Sequence, residues 1–88
     1  MYRVTLTCKG VPTQLGQVGA TDITEEFTHR PQHQNVLCEW DGQQLLLRAE
    51  SDWDGDGKAL LEEFSDAVSA CITGTFGYSI EVKAIVVV

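Results

Sequence analysis

The chain has little positive charge and few prolines, and each shortage excludes a class of protein. Six lysines and arginines stand against 13 aspartates and glutamates in 88 residues, so the formal net charge is −7. Binding to nucleic acid or to an anionic membrane depends on positive charge, so we expect neither partner. Two prolines and a hydrophobic fraction of 43% are typical of a folded chain. The length predicts a single domain over residues 1–88.

Paired cysteines and long apolar runs are also missing. Cys8, Cys38 and Cys71 form an odd set without C-x-x-C spacing, and Met1 leads directly into an alternating segment instead of a secretory leader. No apolar run approaches the ~20 residues that a membrane-spanning helix needs. We therefore expect a cytoplasmic protein whose thiols are reduced and serve as small buried side chains.

The chain contains none of the common catalytic motifs. It has no G-x-S-x-G, no phosphate-binding glycine loop and no H-E-x-x-H. Neighbouring carboxylates, as in Glu62 and Glu63, point apart on a helix or a strand and do not form an acid–base pair. We expect that the protein is not an enzyme, and a small enzyme ranks third among the functions considered.

The first half of the chain mixes one clear strand with less certain segments. Residues 2–9 alternate between apolar and polar side chains, which predicts a half-buried strand. Residues 10–20 contain three glycines and are interpreted as a loop. Residues 22–30 fit either a strand or a short helix that ends before Pro31, and the threonines Thr24 and Thr28 favour the strand.

The second half has stronger patterns. Asp41-Gly42 between two alternating runs predicts a hairpin with a type I′ turn. Residues 58–73 carry apolar side chains at three-and-four spacing, which predicts an amphipathic helix that ends at Gly74. Residues 76–88 alternate and become apolar on both faces from Ala84 onward. That pattern is typical of an interior strand, so we expect this strand at the sheet centre or at a dimer seam.

These elements predict an α+β fold in the order β-β-β-β-α-β. We expect a mixed, mainly antiparallel sheet of about five strands with one amphipathic helix on one face. The last strand should run parallel to the strand that precedes the helix. Because one helix covers only one face of such a sheet, we also expect that the chain can form a homodimer.

Residues 52–63 concentrate oxygen ligands at a regular spacing. Aspartates alternate with other residues, a glycine follows the third aspartate, and a glutamate ends the segment. Calcium takes six to eight oxygen ligands, which a short loop supplies when every second side chain points inward. The candidate ligands are Asp52, Asp54, Asp56, the carbonyl oxygen of Lys58, and Glu63.

This segment resembles the loop of the EF-hand family, whose pattern D-x-[DN]-x-[DN]-G-x5-E it satisfies, with Phe64 where the exiting helix begins. The resemblance implies a calcium site. Leu60 at the ninth position and the lack of a second loop imply weak binding, in the range of ~10⁻⁴ to 10⁻³ M. The alternative is a solvated connector in which Asp54 or Asp56 caps the helix.

The sequence indicates no specific biological role. We interpret the chain as an interaction or regulatory module that binds calcium weakly and has a protein partner or a second copy of itself. The alternative is an acidic protein, such as an inhibitor or assembly subunit, that docks onto a basic surface without metal. The recognition charges would then be Glu25, Glu26, Asp52, Asp54 and Asp56.

Overall fold

A computed structural model describes residues 1–72 and 77–88 of the chain. The elements are β1 (Tyr2–Lys9), α1 (Thr13–Phe27), β2 (Gln34–Trp40), β3 (Leu45–Ser51), α2 (Lys58–Cys71) and β4 (Ser79–Val87). The predicted α+β class is confirmed. The expected five strands and one helix are wrong, because the described residues form four strands and two helices.

The strand order across the sheet is β2-β3-β1-β4, and every neighbouring pair is antiparallel. Strands β3 and β4 both run antiparallel to β1, so they are parallel to each other, as predicted for the strands flanking α2. The β-α-β-β-α-β order with this arrangement is the ferredoxin-like, split β-α-β topology. That topology hosts many unrelated functions, so it defines the architecture only.

Helix α1 replaces the predicted loop over residues 10–20 and the strand favoured over residues 22–30. Its glycines serve close packing. A Cβ atom on Gly16 would lie 2.2 Å from Cδ2 of Trp40, and one on Gly19 would lie 2.6 Å from Cδ1 of Ile72. The glycines thus allow the helix to approach the sheet and the end of α2, contacts that are invisible in the local sequence.

The threonines that favoured a strand are accommodated within α1. The Oγ1 atom of Thr24 donates to the carbonyl oxygen of Ala20 at 2.8 Å, and Oγ1 of Thr21 donates to that of Gln17 at 3.2 Å. Each hydroxyl therefore bonds to the preceding turn of the helix, which offsets the low helix propensity of threonine.

The core lies between the two helices and one face of the sheet. Alternate residues of the two central strands point into it, as the period-two pattern predicts. The largest fully buried side chains are Phe64, Leu6, Ile23, Leu45, Leu47, Leu60, Val4, Val68 and Cys8. The periodicity of residues 58–73 correctly predicted the inward stripe of α2, although Thr73, Gly74 and Phe76 lie outside the described residues.

The three cysteines are free. Cys8 and Cys38 are buried, as predicted, and Cys71 is half-buried. Burial raises the pKa of the Cys8 thiol to about 11 and that of Cys38 to about 12. The thiols of Cys8 and Cys38 are therefore neutral and inert.

The β2–β3 hairpin is confirmed, but its turn differs from the predicted type I′. Residues 41–44 connect the strands, and only Gly42, at φ 99°, has a positive φ among them. The Asp41 carboxylate accepts hydrogen bonds from the backbone N–H groups of Gln43 and Gln44, both at 2.8 Å. The side chain of Asp41 thus shapes the turn.

Along residues 1–72 and 77–88, no helix is long and apolar enough to cross a bilayer.

Candidate functional site

The acidic segment joins β3 to α2, and its central aspartate caps the helix. Asp54 is only 4% exposed, and its carboxylate oxygens accept from the backbone N–H groups of Ala59 at 3.1 Å and Leu60 at 3.0 Å. Gly57 turns the chain into the helix with a φ of 73°. The carboxylate satisfies donors that the first turn of a helix leaves without partners and lies at the positive end of the helix dipole.

The other predicted ligands of this segment lie closer to solvent. The Oδ1 atom of Asp56 accepts from the backbone N–H of Lys58 at 3.1 Å, which makes a second local contact at the start of α2. Asp52, Asp56 and Lys58 are all exposed. The segment therefore has the contacts of the helix-capping alternative.

Glu63 faces a different part of the molecule, the connector that runs from α1 to β2. Its Oε1 atom accepts from Nη1 of Arg30 at 3.0 Å and from Nε2 of Gln32 at 2.8 Å, and its Oε2 atom bonds to Nε2 of His33. Burial acts to raise the pKa of the Glu63 carboxyl, but the hydrogen bonds from His33 and Arg30 outweigh it and hold the pKa below its ordinary value.

The five predicted calcium ligands are thus divided between two clusters. Asp54 and Asp56 bond to the start of α2, whereas Glu63 bonds to the connector. Within residues 1–72 and 77–88, no group of three or more histidine, cysteine, aspartate or glutamate side chains is arranged to hold a metal ion. Calcium binding by residues 52–63 remains a prediction.

His33 is the centre of the Glu63 cluster. Its side chain is 1% exposed and lies between two aromatic rings, with ring centroids 6.0 Å from Phe27 and 5.8 Å from Trp53. Trp53 itself is 50% exposed, so its ring contacts both the buried histidine and solvent. The cluster fastens the α1–β2 connector to the first half of α2.

A cleft of about 240 Å³ lies beside this cluster. Arg30 is placed in it by the Glu63 bond and by a contact of its guanidinium with the Phe27 ring, 5.4 Å from the centroid. Since Glu26 also bonds to Arg30, two carboxylates offset its charge. The local charge therefore does not favour an anionic ligand. The cleft is lined by Thr24, Phe27, Thr28, Arg30, Pro31, His33 and Val36.

Strand β4 forms one edge of the sheet, and its end, with Val88, carries the largest run of exposed apolar side chains among residues 1–72 and 77–88. Val86, Val87 and Val88 are 49%, 75% and 51% exposed, and Ile85 is 38% exposed. The expectation of a central strand is therefore wrong, because β4 pairs with β1 alone among the described strands. Its outer backbone groups remain free to pair with another strand.

A bulge divides β4 into two parts. Thr5 of β1 pairs with Ala84, but the next residue, Leu6, pairs with Val82, so Lys83 is the extra residue. Ser79 to Lys83 contains both charges of the strand, Glu81 and Lys83, whereas Ala84 to Val87 contains none. A bulge and a lysine both discourage pairing at a sheet edge, so the unprotected part of β4 is the segment after Lys83.

The chain matches no protein-family model, no curated protein and no solved structure in comparisons with known proteins.

Sequence reasoning found the apolar run at the end of β4 but placed it inside the sheet. The cluster of Arg30, His33 and Glu63 was missed, because Glu63 lies about thirty positions from the other two residues. The only local signal was Glu26 four residues before Arg30, a spacing that allows an ion pair on one helical turn.

Proposed function

We propose that the protein is an interaction module that binds an extended segment of a partner protein along the outer edge of β4. Strand addition of this kind obtains affinity from backbone hydrogen bonds and specificity from alternate side chains. The observation that carries the proposal is the exposed, uncharged segment of β4 after Lys83. Large exposed apolar patches are uncommon on monomers and tend to mark binding sites.

The charge of the chain makes a peptide with basic flanks a suitable probe of this edge. The net charge is −7, and an acidic surface attracts basic partners and speeds their association. Of the five proposed recognition charges, Glu25, Asp52 and Asp56 are exposed, whereas Asp54 is buried and Glu26 pairs with Arg30. The exposed three are the ones available for such steering.

Calcium binding by residues 52–63 is a second proposal, favoured by the exposure of Asp52 and Asp56. Glu63 would have to leave Arg30 and His33 to complete the ligand set. Calcium should then change the amide hydrogen exchange or the fluorescence of Trp53, whose ring lies against His33. If millimolar calcium changes neither the fluorescence nor the melting temperature, this proposal is refuted.

A short valine–threonine peptide with lysine at both ends tests the strand-binding site. Titration into the isotope-labelled protein should shift the backbone amide signals of β4 and its neighbour β1, and added salt should weaken binding because the peptide is basic. Val87→Lys should reduce the affinity by about tenfold, since it adds a positive charge and removes an exposed apolar side chain at the site.

Val18→Lys is the matched control, because Val18 is 63% exposed and lies on α1, away from β4. This variant should bind the peptide as the wild type does. Signals that shift along β2 instead of β4, or equal losses of affinity in both variants, would contradict the proposed site.

A further inference from the structure

We infer that the strand added to β4 is β4 of a second copy of this chain, in a two-fold symmetric dimer. This inference rests on the proposed function of β4 and names its partner. Antiparallel pairing of the two strands would join both four-stranded sheets into one continuous sheet. The paired segment is Ala84 to Val88, which follows the bulge at Lys83.

The residue pattern of β4 is compatible with itself. In an isologous dimer each residue of the strand faces a residue of the same strand, so the segment must be complementary to its own sequence. Every side chain from Ala84 to Val88 is apolar, and the register centred on Val86 pairs Ala84 with Val88 and Ile85 with Val87, so apolar side chains lie opposite each other throughout the segment. Registers centred on Glu81 or Lys83 would instead oppose like charges, which is destabilising.

The charge distribution allows two acidic chains to meet at this edge. Each copy has a net charge of −7, which opposes association over distances shorter than the screening length. Strand β4 itself carries one Glu81 and one Lys83, and these formal charges cancel. The repulsion between the two copies therefore comes from the rest of their surfaces. Added salt screens this repulsion and should strengthen the dimer.

The other edge of the sheet favours a closed dimer over a filament. Strand β2 pairs irregularly with β3 between Gln34 and Leu37, and Asn35 has a φ of 52°. An irregular edge is a poor template for a further strand. If β4 accepted β2 of the next copy, the contact would repeat without closing, whereas β4 against β4 uses both free edges at once.

The pairing of two short strand segments buries a small surface. Such a contact falls below the ~1,200 Å² at which specific, stable interfaces begin. We therefore expect a weak dimer that dissociates in the micromolar to millimolar range of concentration.

Sedimentation velocity over rising protein concentration tests this inference. The wild type and Val18→Lys should shift from monomer to dimer, and higher salt should move the shift to lower concentration. Val87→Lys should weaken association by about tenfold, because each dimer then contains two added charges of the same sign within the paired segments and loses the apolar contacts of Val87. Val87→Thr keeps the β-branched shape and should weaken it less.

Circular dichroism and a melting curve for each variant separate misfolding from lost association. A monomer at every concentration, or a dimer that persists in Val87→Lys with the fold intact, would overturn the inference. If the wild type is monomeric and still binds the valine–threonine peptide along β4, the dimer is refuted and the strand-binding function stands. If neither occurs, both are refuted.

Discussion

The two edges of the sheet are built differently although both end a four-stranded antiparallel sheet. Strand β2 is covered by α1, has an irregular pairing at its start, and ends in Trp40 packed on Gly16. Strand β4 has a regular segment after its bulge, and this segment exposes valine side chains on both faces. The first edge is irregular where its strand begins, and the second is regular, uncharged and apolar after its bulge.

The comparison shows where the stabilising contacts of the molecule are concentrated. The connector that leads into β2 is fastened to α2 through the bonds of Glu63 to Arg30 and His33. On the outer side of β4, the described residues provide no comparable set of side-chain contacts. The α1–β2 side thus holds most of these side-chain contacts, and the β4 side is the part of the sheet that we propose for binding.

The strongest disruption of the β2 edge should come from Gly16→Ala. A Cβ atom would lie 2.2 Å from the Trp40 ring, so the ring or the helix must shift. We expect a loss of about 2 kcal/mol in the free energy of unfolding, because overpacking costs more than the helix propensity of alanine returns. Urea unfolding measures it, with Gln17→Ala on the exposed side of α1 as the control. A variant more stable than the wild type would refute the close packing.

A smaller loss should follow from Glu63→Gln, which removes the carboxylate that Arg30 and His33 share. The side chain is 17% exposed, and we expect a loss of about 1.5 kcal/mol in the free energy of unfolding. Glu62→Gln changes an exposed neighbour and should stay within about 0.5 kcal/mol of the wild type. Equal behaviour of the two variants in urea unfolding would contradict the role assigned to Glu63.

The stabilities of the wild type and of Glu63→Gln should depend differently on pH. The pKa of Glu63 in the folded state lies below its ordinary value of 4.5, so its ionised form stabilises the fold above that value. This contribution is lost as the pH falls through the lower folded-state pKa. The stability difference between wild type and Glu63→Gln should therefore narrow below about pH 4. A difference that is constant from neutral to acidic pH would exclude the linkage.

The smallest expected effect is a change in association after removal of Lys83, which discourages strand pairing at the β4 edge. Lys83→Val removes the charge at the bulge, and we expect association to strengthen by a few-fold, roughly 0.5 to 1 kcal/mol. Light scattering and sedimentation against the wild type measure this change. Val18→Ile on α1 controls for a general gain in hydrophobicity. Weaker association of Lys83→Val would show that the lysine contributes to the contact.

Local periodicity was sufficient for those elements whose apolar face is formed by consecutive turns or alternate residues. The strand at residues 2–9, the hairpin around Asp41 and the helix from Lys58 were predicted for this reason. Helix α1 was missed because Gly16 and Gly19 are buried by Trp40 and Ile72, which lie far along the chain. A glycine that packs and a glycine that turns look the same in sequence.

The site was less predictable than the fold. An apolar strand on both faces indicates burial, and the sequence contains no sign of whether the cover comes from its own chain or from another. Glu63 had the spacing of a calcium ligand, but its partners Arg30 and His33 are brought to it only by the packing of α2 beside the α1–β2 connector. Local spacing therefore suggested a ligand set without resolving these distant partners.

Hydrogen exchange of the backbone amides, followed at low and high protein concentration, tests most directly whether β4 is the binding edge. We predict that exchange in the segment after Lys83 slows as concentration rises, while exchange along β2 does not change. Slower exchange along β2 with unchanged exchange in β4 would contradict the account.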